Sequence, residues 1–216
     1  MNYYEMKNGL VVMQAEDGKF VYSSNSANGN WEETKQFAGE DGTVMLWTGN
    51  DYFNKSNAGE KQTAPLEYTF EVDSPGTYYL TLRAIRPVTG EAGDRNNDFF
   101  VQFENGDHEK LFFSGDRNEF RWASLIDPGH GEKKVAATYS VTQSMIDKND
   151  GIFTLTISAR SSFAGFDEVH FQKGSASRDA TAPTSNLITG DGGSDPQPPA
   201  EDNDCLLYTS PSPRDA

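Results

Sequence analysis

The chain has 216 residues, with 33 acidic and 18 basic side chains and a formal net charge of −15. This length suits one domain with extensions. The negative charge repels phosphate backbones and anionic lipids, which argues against nucleic acids and membranes as partners. Hydrophobic residues make up only 35%, yet 14 Phe, 9 Tyr and 3 Trp supply large apolar surfaces. We therefore expect a core rich in aromatic rings.

The N-terminus gives no sign of a signal peptide, because residues 1–9 lack a basic region followed by an apolar run. No segment approaches the 18 to 20 apolar residues, roughly, of a membrane-spanning helix. The only cysteine is Cys205, so no intrachain disulfide is possible. A soluble domain is expected, and its compartment stays open on these grounds.

Short segments of alternating apolar and polar residues, separated by turn residues, run through the first 174 positions. They cover residues 11–18, 66–72, 77–85, 99–103, 135–141 and 152–157. The two segments 66–72 and 77–85 flank a turn with Pro75 and Gly76, which predicts a β-hairpin. Only residues 141–148 favour a short helix. The pattern predicts an all-β, antiparallel β-sandwich of the jelly-roll kind.

The composition changes after Gly174 to Ser, Thr, Asp, Gly and Pro, which bury little apolar surface. We predict an N-terminal extension over 1–8, a sandwich over 9–174 and a flexible linker over 175–204. Residues 205–216 resemble translated sequencing-adapter DNA and are interpreted as a non-native tail. The C-terminal tail is expected to be disordered.

Three oxygen-bearing side chains near the two ends of the predicted sandwich suggest a metal site. Gln14 and Glu16 lie two apart on a strand and therefore share a face, and Asp167 lies on a later strand. Calcium prefers carboxylate and carbonyl oxygens. The alternative is that all three are solvated polar residues at strand edges.

Sugar binding requires an aromatic plane beside polar groups that contact hydroxyls. Candidate aromatic residues are Trp31, Tyr52 and Trp122, whereas Trp47 lies in an apolar run typical of a core. Polar candidates are Arg95, Asn96, Asn97 and Asp98, which precede a strand. Arg95 could alternatively pair with Asp94 or Asp98. Arg83, Arg86 and Arg160 are expected to pair with acids, with an arginine-lined groove for acidic sugars as the alternative.

The segments Val11–Gly18 and Phe166–Phe171 resemble the first and last strands of carbohydrate-binding modules of family 6. The resemblance extends from Gly9 to Lys173 and includes Leu46–Phe53, Asp94–Val101 and Ile157–Ser161. Such β-sandwich modules accompany polysaccharide-degrading enzymes of marine bacteria. The resemblance implies a structural Ca2+ held by Gln14, Glu16 and Asp167, although Gln14 departs from the usual Glu. It also implies ligand loops around Arg95–Asp98, with Arg160 and Phe163 reaching toward the ligand.

The resemblance predicts a non-catalytic, monomeric module that binds a polysaccharide or oligosaccharide. It would hold a covalently linked catalytic domain on its substrate, outside the cell or in the periplasm, as part of a larger protein. The alternatives are a polysaccharide lyase or glycosidase domain, or an adhesion domain on the same fold. The sequence contains no G-x-S-x-G motif and no zinc spacing among His108, His130 and His170. An enzyme is therefore the less favoured interpretation.

Overall fold

The computed structural model describes residues 2–21, 29–37, 43–51, 63–89, 95–129 and 131–189. Over these ranges the chain forms two β-sheets that enclose one apolar core. The predicted all-β sandwich is confirmed. A 3-10 helix over Ala15–Asp17 and a helix α1 over Gln143–Lys148 are the helical elements of the described ranges. Thr142 is the N-cap of α1, because its side-chain oxygen accepts a hydrogen bond from the Met145 amide.

We number the strands in chain order. The first sheet contains β1 (Asn2–Tyr4), β3 (Lys19–Phe20), β6 (Leu66–Glu71), β8 (Asp98–Phe103), β9 (Glu109–Phe112), β11 (Leu125–Ile126), β12 (Val135–Ala136), β14 (Ile152–Ala159) and β16 (Leu187–Thr189). Its strand order is β12-β11-β9-β8-β14-β6-β1-β16, and β3 pairs with β6.

The second sheet contains β2 (Leu10–Gln14), β4 (Trp31–Thr34), β5 (Val44–Trp47), β7 (Gly76–Ile85), β10 (Arg121–Ala123), β13 (Thr138–Val141) and β15 (Gly165–Lys173). Its order is β10-β7-β15-β5-β4, while β13 also pairs with β7 and β2 with β15. The antiparallel β2–β15 pair places Gln14 opposite Glu168. The segments predicted as the first and last strands of the sandwich, here β2 and β15, are therefore neighbours.

Aromatic rings fill the space between the sheets. Phe171 lies near the middle, with ring centroids of Phe70 at 4.9 Å, Tyr78 at 5.1 Å and Phe103 at 5.3 Å. A second group surrounds Phe166. Large rings bury much apolar area per side chain, so few hydrophobic residues suffice. The expected aromatic core is present.

The predicted hairpin between β6 and β7 is wrong. β6 pairs with β14, β1 and β3 in the first sheet, whereas β7 pairs with β10, β13 and β15 in the second. Tyr68 and Phe70 on β6 face Tyr78 and Leu80 on β7 across the same core. The turn after β6 therefore joins opposite layers of the sandwich. Alternation along a strand identifies its buried face but not the strand beside it.

The predicted domain boundaries need correction at both ends. Residues 2–4 form β1, and residues 175–189, here called the C-terminal strap, cross the outer face of the second sheet and end in β16. β16 pairs antiparallel with β1, with Asn2 opposite Thr189. The strap hydrogen-bonds through polar groups rather than burying large side chains, so its composition resembles a linker. The described part of the predicted linker thus belongs to the folded domain.

Candidate functional site

Several loops meet at one end of the sandwich, which we call the loop end. It comprises the segment after β5, the segment after β7, the segment before β8, the segment after β9 and the segment between β14 and β15. The corresponding residues are 48–51, 86–89, 95–97, 113–120 and 160–164. The predicted residues Arg95, Asn96, Asn97, Asp98, Arg160 and Phe163 are all brought to this end or border it.

A buried ion pair anchors the loop end to the first sheet. Asp98, the first residue of β8, accepts hydrogen bonds from the Arg160 guanidinium and the Ser161 hydroxyl. Both charged side chains are less than a tenth exposed. Arg160 also lies over the Phe100 ring, with its guanidinium carbon 5.6 Å from the ring centroid. Arg160 pairs with an acid, as the sequence led us to expect, and its role is to hold the β14–β15 loop.

Asn96 connects its own loop to three others. Its backbone has a φ of 63°, a left-handed conformation that Asn tolerates better than most residues. Its side-chain amide donates to the Ser162 carbonyl, and its side-chain oxygen accepts from Thr89 Oγ1 at 3.2 Å and Arg117 at 3.1 Å. Asn96 is therefore buried and serves to fix the loops.

Asp51 forms a second connection across the loop end. Its carboxylate accepts the Ser162 amide at 2.7 Å and lies 3.5 Å from an Arg95 nitrogen. Arg95 thus pairs with Asp51, a partner that the sequence did not suggest. Asp51, Thr89, Arg117 and Ser162 are additions to the predicted site. Their only signal in the sequence is that polar residues follow predicted strands.

Phe163 presents an apolar ring at the loop end. Its side chain is 38% exposed, and its backbone φ is 57°, which is uncommon for a bulky residue. Its amide donates to the Trp47 carbonyl at 2.7 Å, which helps to hold this conformation. Val88, which is 67% exposed, precedes Thr89, whose hydroxyl donates to the Asn96 side chain. Two exposed apolar side chains therefore border a polar cluster.

The predicted aromatic residues do not gather at one place. Trp31 packs among Trp47, Phe99 and Phe166, and its indole N–H donates to the Ala64 carbonyl at 2.7 Å. A sugar platform needs a free ring face, so this placement corrects the prediction for Trp31, whereas Trp47 lies in the core as expected. Tyr52 lies outside the described residues.

Trp122 lies in β10, two residues after the loop-end segment 113–120, on the outer face of the second sheet. Its ring meets the His170 ring edge-on with centroids 4.9 Å apart, and it pairs in register with Arg83 on β7. That Trp122 and Arg95 contribute to ligand binding stays a prediction. Sequence position cannot tell which face of an edge strand carries a tryptophan.

The predicted metal residues do come together, beside β15. Gln14 ends β2, Glu16 lies in the 3-10 helix that packs on β15, and Asp167 lies at an irregularity in the β15–β7 register. Arg83 donates to one Asp167 oxygen at 2.8 Å. The other, Oδ1, is buried and accepts no hydrogen bond from the described residues.

Burial raises the pKa of Asp167 to about 7, against the opposing effect of Arg83 and with the Glu168 carboxylate raising it further. A buried carboxylate of this kind is stabilised by a second cation. Among the described residues no three His, Cys, Asp or Glu side chains form a metal-binding group, so an amide oxygen would have to complete any set here.

Ser177 of the C-terminal strap forms a buried series of hydrogen bonds with His170 and Glu168 of β15. His170 Nδ1 is 2.7 Å from Ser177 Oγ, and His170 Nε2 is 3.2 Å from a Glu168 oxygen. The residue types match a hydrolase triad, but all three side chains are buried. Because Ser177 belongs to the strap and all three side chains are buried, these hydrogen bonds serve to join the strap to β15.

The two sheets define a β-sandwich domain whose loop end carries exposed polar and apolar groups. Residues 3–181 match the Glycosyl hydrolase family 115 C-terminal domain, and the chain belongs to this family. The predicted resemblance to modules of polysaccharide-degrading enzymes is thereby confirmed. No curated protein matches the chain. Within the described ranges, no helix is long and apolar enough to cross a membrane.

Solved structures with similar folds include carbohydrate-binding modules. The chain is 14% identical to a family 35 module from Clostridium thermocellum, with a TM-score of 0.45 over 74% of this chain and 97% of that one. It is 16% identical to the C-terminal family 6 module of a marine laminarinase from Zobellia galactanivorans, with a TM-score of 0.40 over 76% and 99%.

A larger enzyme gives a similar result. The chain is 18% identical to the Podospora anserina GH26-CBM35 β-(1,4)-mannanase, with a TM-score of 0.43 over 80% of this chain. The chain spans only 29% of the length of that mannanase.

Proposed function

We propose that this domain is a non-catalytic module that binds a polysaccharide or oligosaccharide at its loop end. The observation that carries this proposal is the exposed Phe163 ring, held in a left-handed backbone conformation beside Asp51, Arg95 and Asn96. Strained, exposed residues cluster at ligand-binding sites. An aromatic face with amide, carboxylate and guanidinium groups nearby suits the C–H patches and hydroxyls of a sugar.

The loops that carry these groups are held before any ligand arrives. Asp98 fixes Arg160 and Ser161, while Asn96 ties the β14–β15 loop to Thr89 and Arg117. A site whose loops are already ordered loses less entropy on binding. The loop end therefore suits reversible binding of a sugar chain without bond cleavage.

The proposed role in a larger protein is to hold a linked catalytic domain on its substrate, outside the cell or in the periplasm. Membership of a family described as a C-terminal domain of glycosyl hydrolases supports this role. Tethering turns the second encounter into an intramolecular one and raises the effective concentration of enzyme on the glycan.

Affinity electrophoresis of the full chain tests the proposal. Gels containing xylan, laminarin, alginate or agar should retard the protein, while the same mixtures in solution should release no reducing ends. Release of products would favour the lyase or glycosidase alternative. Absence of retardation by every glycan would favour the adhesion alternative.

Phe163→Ala is expected to weaken binding about tenfold, because truncation of a central aromatic contact typically removes more than about 1 kcal/mol. Stability should change little, since the ring is partly exposed. The matched control is Phe20→Ala, which removes a ring that is 49% exposed on β3. Gel retardation and thermal melting of both variants provide the measurement. Equal binding by the two variants would place the site elsewhere.

We also propose that Gln14, Glu16 and Asp167 hold a structural Ca2+. The buried Asp167 Oδ1, which accepts no hydrogen bond from the described residues, and the nearby carbonyl and carboxylate oxygens support this assignment. The ion would join the ends of β2 and β15 and has no part in sugar chemistry. Arg83 already forms an ion pair with Asp167, which reduces the negative charge available to attract calcium.

Millimolar calcium is expected to raise the melting temperature by roughly 5 °C over the value in chelator, because a ligand that binds only the folded state stabilises it. Glu16→Gln should abolish the increase. Glu33→Gln, which changes an exposed carboxylate on β4, is the matched control and should keep it. Superimposable melts of the unmodified chain in calcium and chelator would leave Arg83 as the cation that balances Asp167.

A further inference from the structure

A cavity opens at the end of the sandwich opposite the loop end. β8 runs from Asp98 at the loop end to Phe103, so the turn that follows Phe103 lies at the other end. The cavity has a volume of about 560 Å³ and lies between this turn, β13 and α1. Ligand pockets have volumes of roughly 300 to 1,000 Å³. We call this cavity the α1 pocket.

Part of the lining of the α1 pocket is apolar. Phe103 and Tyr139 lie side by side in it, with ring centroids 5.1 Å apart, and Met145 of α1 adds a thioether side chain. Phe103 is buried in the core, whereas Tyr139 and Met145 are partly exposed. Aromatic rings and methionine make favourable contacts with C–H groups, so this part of the lining suits the apolar face of a sugar ring.

Hydrogen bonds hold the polar part of the lining in place. Glu104 follows β8 with a left-handed φ of 52°. One of its carboxylate oxygens accepts the Thr154 amide at 2.6 Å, and the other accepts the side-chain amide of Asn149, at the end of α1, at 3.2 Å. The turn and the helix are thus connected before a ligand binds, which reduces the entropy cost of binding.

Glu109 brings a half-buried carboxylate to this pocket. Burial raises the pKa of Glu109 and the Asp107 carboxylate raises it further, while the nearby Tyr139 hydroxyl has the opposite effect. Within the described ranges Glu109 forms no ion pair. A carboxylate that is partly removed from water and close to a second negative charge is stabilised by a cation.

The Tyr139 hydroxyl is a second polar group of the α1 pocket. Its oxygen is buried and forms no hydrogen bond of standard geometry with the described part of the chain. Burial raises the pKa of Tyr139 well above its ordinary value, and the Glu109 carboxylate raises it further. The hydroxyl therefore stays protonated and remains a hydrogen-bond donor beside Glu109.

The lining of the α1 pocket is negative overall. It contains the carboxylates of Glu104, Asp107 and Glu109 and a single basic side chain, Lys148. Lys148 is exposed and forms no ion pair with these carboxylates. Concave surfaces lined by one sign of charge concentrate the field and attract ions of the opposite sign.

We infer that the α1 pocket binds an amino sugar through its protonated amino group. The Glu109 carboxylate accepts hydrogen bonds from the ammonium group, Tyr139 and Met145 contact the C–H face of the ring, and the Asn105 side chain contacts its hydroxyls. This site goes beyond the proposed function, because it uses different residues at the other end of the sandwich. It does not depend on glycan binding at the loop end.

Three methyl glycosides test this inference with the full chain, at a pH at which the amine is protonated: the glucosaminide, its N-acetyl derivative and the neutral glucoside. Titration followed by protein NMR should show that the glucosaminide binds about tenfold more tightly than the other two, because a charged hydrogen bond is formed. Its affinity should fall as salt rises. The Met145 methyl and Asn105 side-chain amide signals should shift.

Variants of opposite charge should change the affinity in opposite directions. Glu109→Gln should weaken binding of the glucosaminide about tenfold and abolish its preference over the glucoside. Lys148→Gln should strengthen it roughly two- to threefold, because an exposed charge of the same sign as the ligand is removed. Glu132→Gln is the matched control, since this exposed carboxylate does not line the pocket, and it should leave the affinity unchanged. Thermal melting checks that each variant is folded.

Equal affinity for the three glycosides, or equal effects of the Glu109 and Glu132 variants, would overturn the inference. Butylamine provides a further check, because binding as tight as that of the glucosaminide would show that the sugar ring is not recognised and would overturn the assignment to an amino sugar.

The two proposals fail separately. Shifts at Met145 and Asn105 with the glucosaminide, without gel retardation by any neutral glycan, would support the α1 pocket and remove the proposed function of the loop end. Retardation by a neutral glycan without those shifts would remove the α1 pocket and leave the loop end as the binding site.

Discussion

Replacing Arg160 with methionine is expected to lower the free energy of unfolding by about 3 kcal/mol or more. Methionine keeps the apolar length of the side chain but leaves the Asp98 carboxylate buried without its cation. The Arg160 and Asp98 side chains are 8% and 6% exposed, so water cannot replace the lost partner easily. Urea unfolding measures the effect, which corresponds to a decrease of roughly 10 °C in melting temperature.

Two further variants separate the ion pair from general packing. Arg95→Met removes an arginine whose pair with Asp51 is largely exposed, at 46% and 29%, and should cost less than about 1 kcal/mol. The double variant Asp98→Leu and Arg160→Met should recover much of the stability, because replacing both members of a buried pair with apolar side chains is often neutral. A loss below about 1 kcal/mol for Arg160→Met alone would contradict the anchoring role of this pair.

A chain shortened to end at Gly174 is expected to lose about 3 kcal/mol of stability, because it lacks the C-terminal strap. The Ser177 carbonyl accepts from Thr81 Oγ1 at 2.7 Å, and the Ser177 hydroxyl contacts His170. Ser185 exchanges two hydrogen bonds with Val12. Each net hydrogen bond contributes about 1 kcal/mol, and the entropy of ordering the strap offsets part of the sum.

The control for this truncation is a chain that ends at Thr189, which keeps β16 and its pairing with β1. It should unfold at the same denaturant concentration as the full chain. The chain that ends at Gly174 should also exchange the amides of β2 and β15 faster in hydrogen exchange. Identical unfolding curves for the two shortened chains would show that the strap contributes nothing to the fold.

Local patterns predicted much of the fold. Alternation identified β6, β7, β8 and β14 within a residue or two, and the short helix predicted over 141–148 is observed as α1 over Gln143–Lys148. The pairing of β2 with β15 followed from the family resemblance rather than from any local pattern.

The sheet to which each strand belongs could not be predicted, since a buried face looks the same on either layer. β6 and β7 illustrate this limit, as do β12 and β13, which are separated only by Ala137 and lie in different sheets. The strap was missed because it is held by Ser and Thr hydroxyls and backbone groups, and such a composition is also typical of a linker.

The sequence located one loop of the candidate site but did not show what each of its residues does. The loop that contains Arg95, Asn96, Asn97 and Asp98 lies at the loop end, but Asn96 and Asp98 are buried and position other groups. Contacts between distant segments, such as Asp51 with Ser162, depend on the three-dimensional arrangement of loops.

The pairing of β1 with β16 determines where a tether leaves the domain. Asn2 lies opposite Thr189, so polypeptide joined before or after the folded body departs from the same edge of the first sheet. β1 runs parallel to β6 with Tyr4 opposite Phe70, and β16 runs antiparallel to β1, so both departing segments point toward the Leu66 end of β6. Leu66 pairs with Ile157, three residues before Arg160. Domains attached at either terminus would therefore emerge on the same side of the sandwich as the loop end.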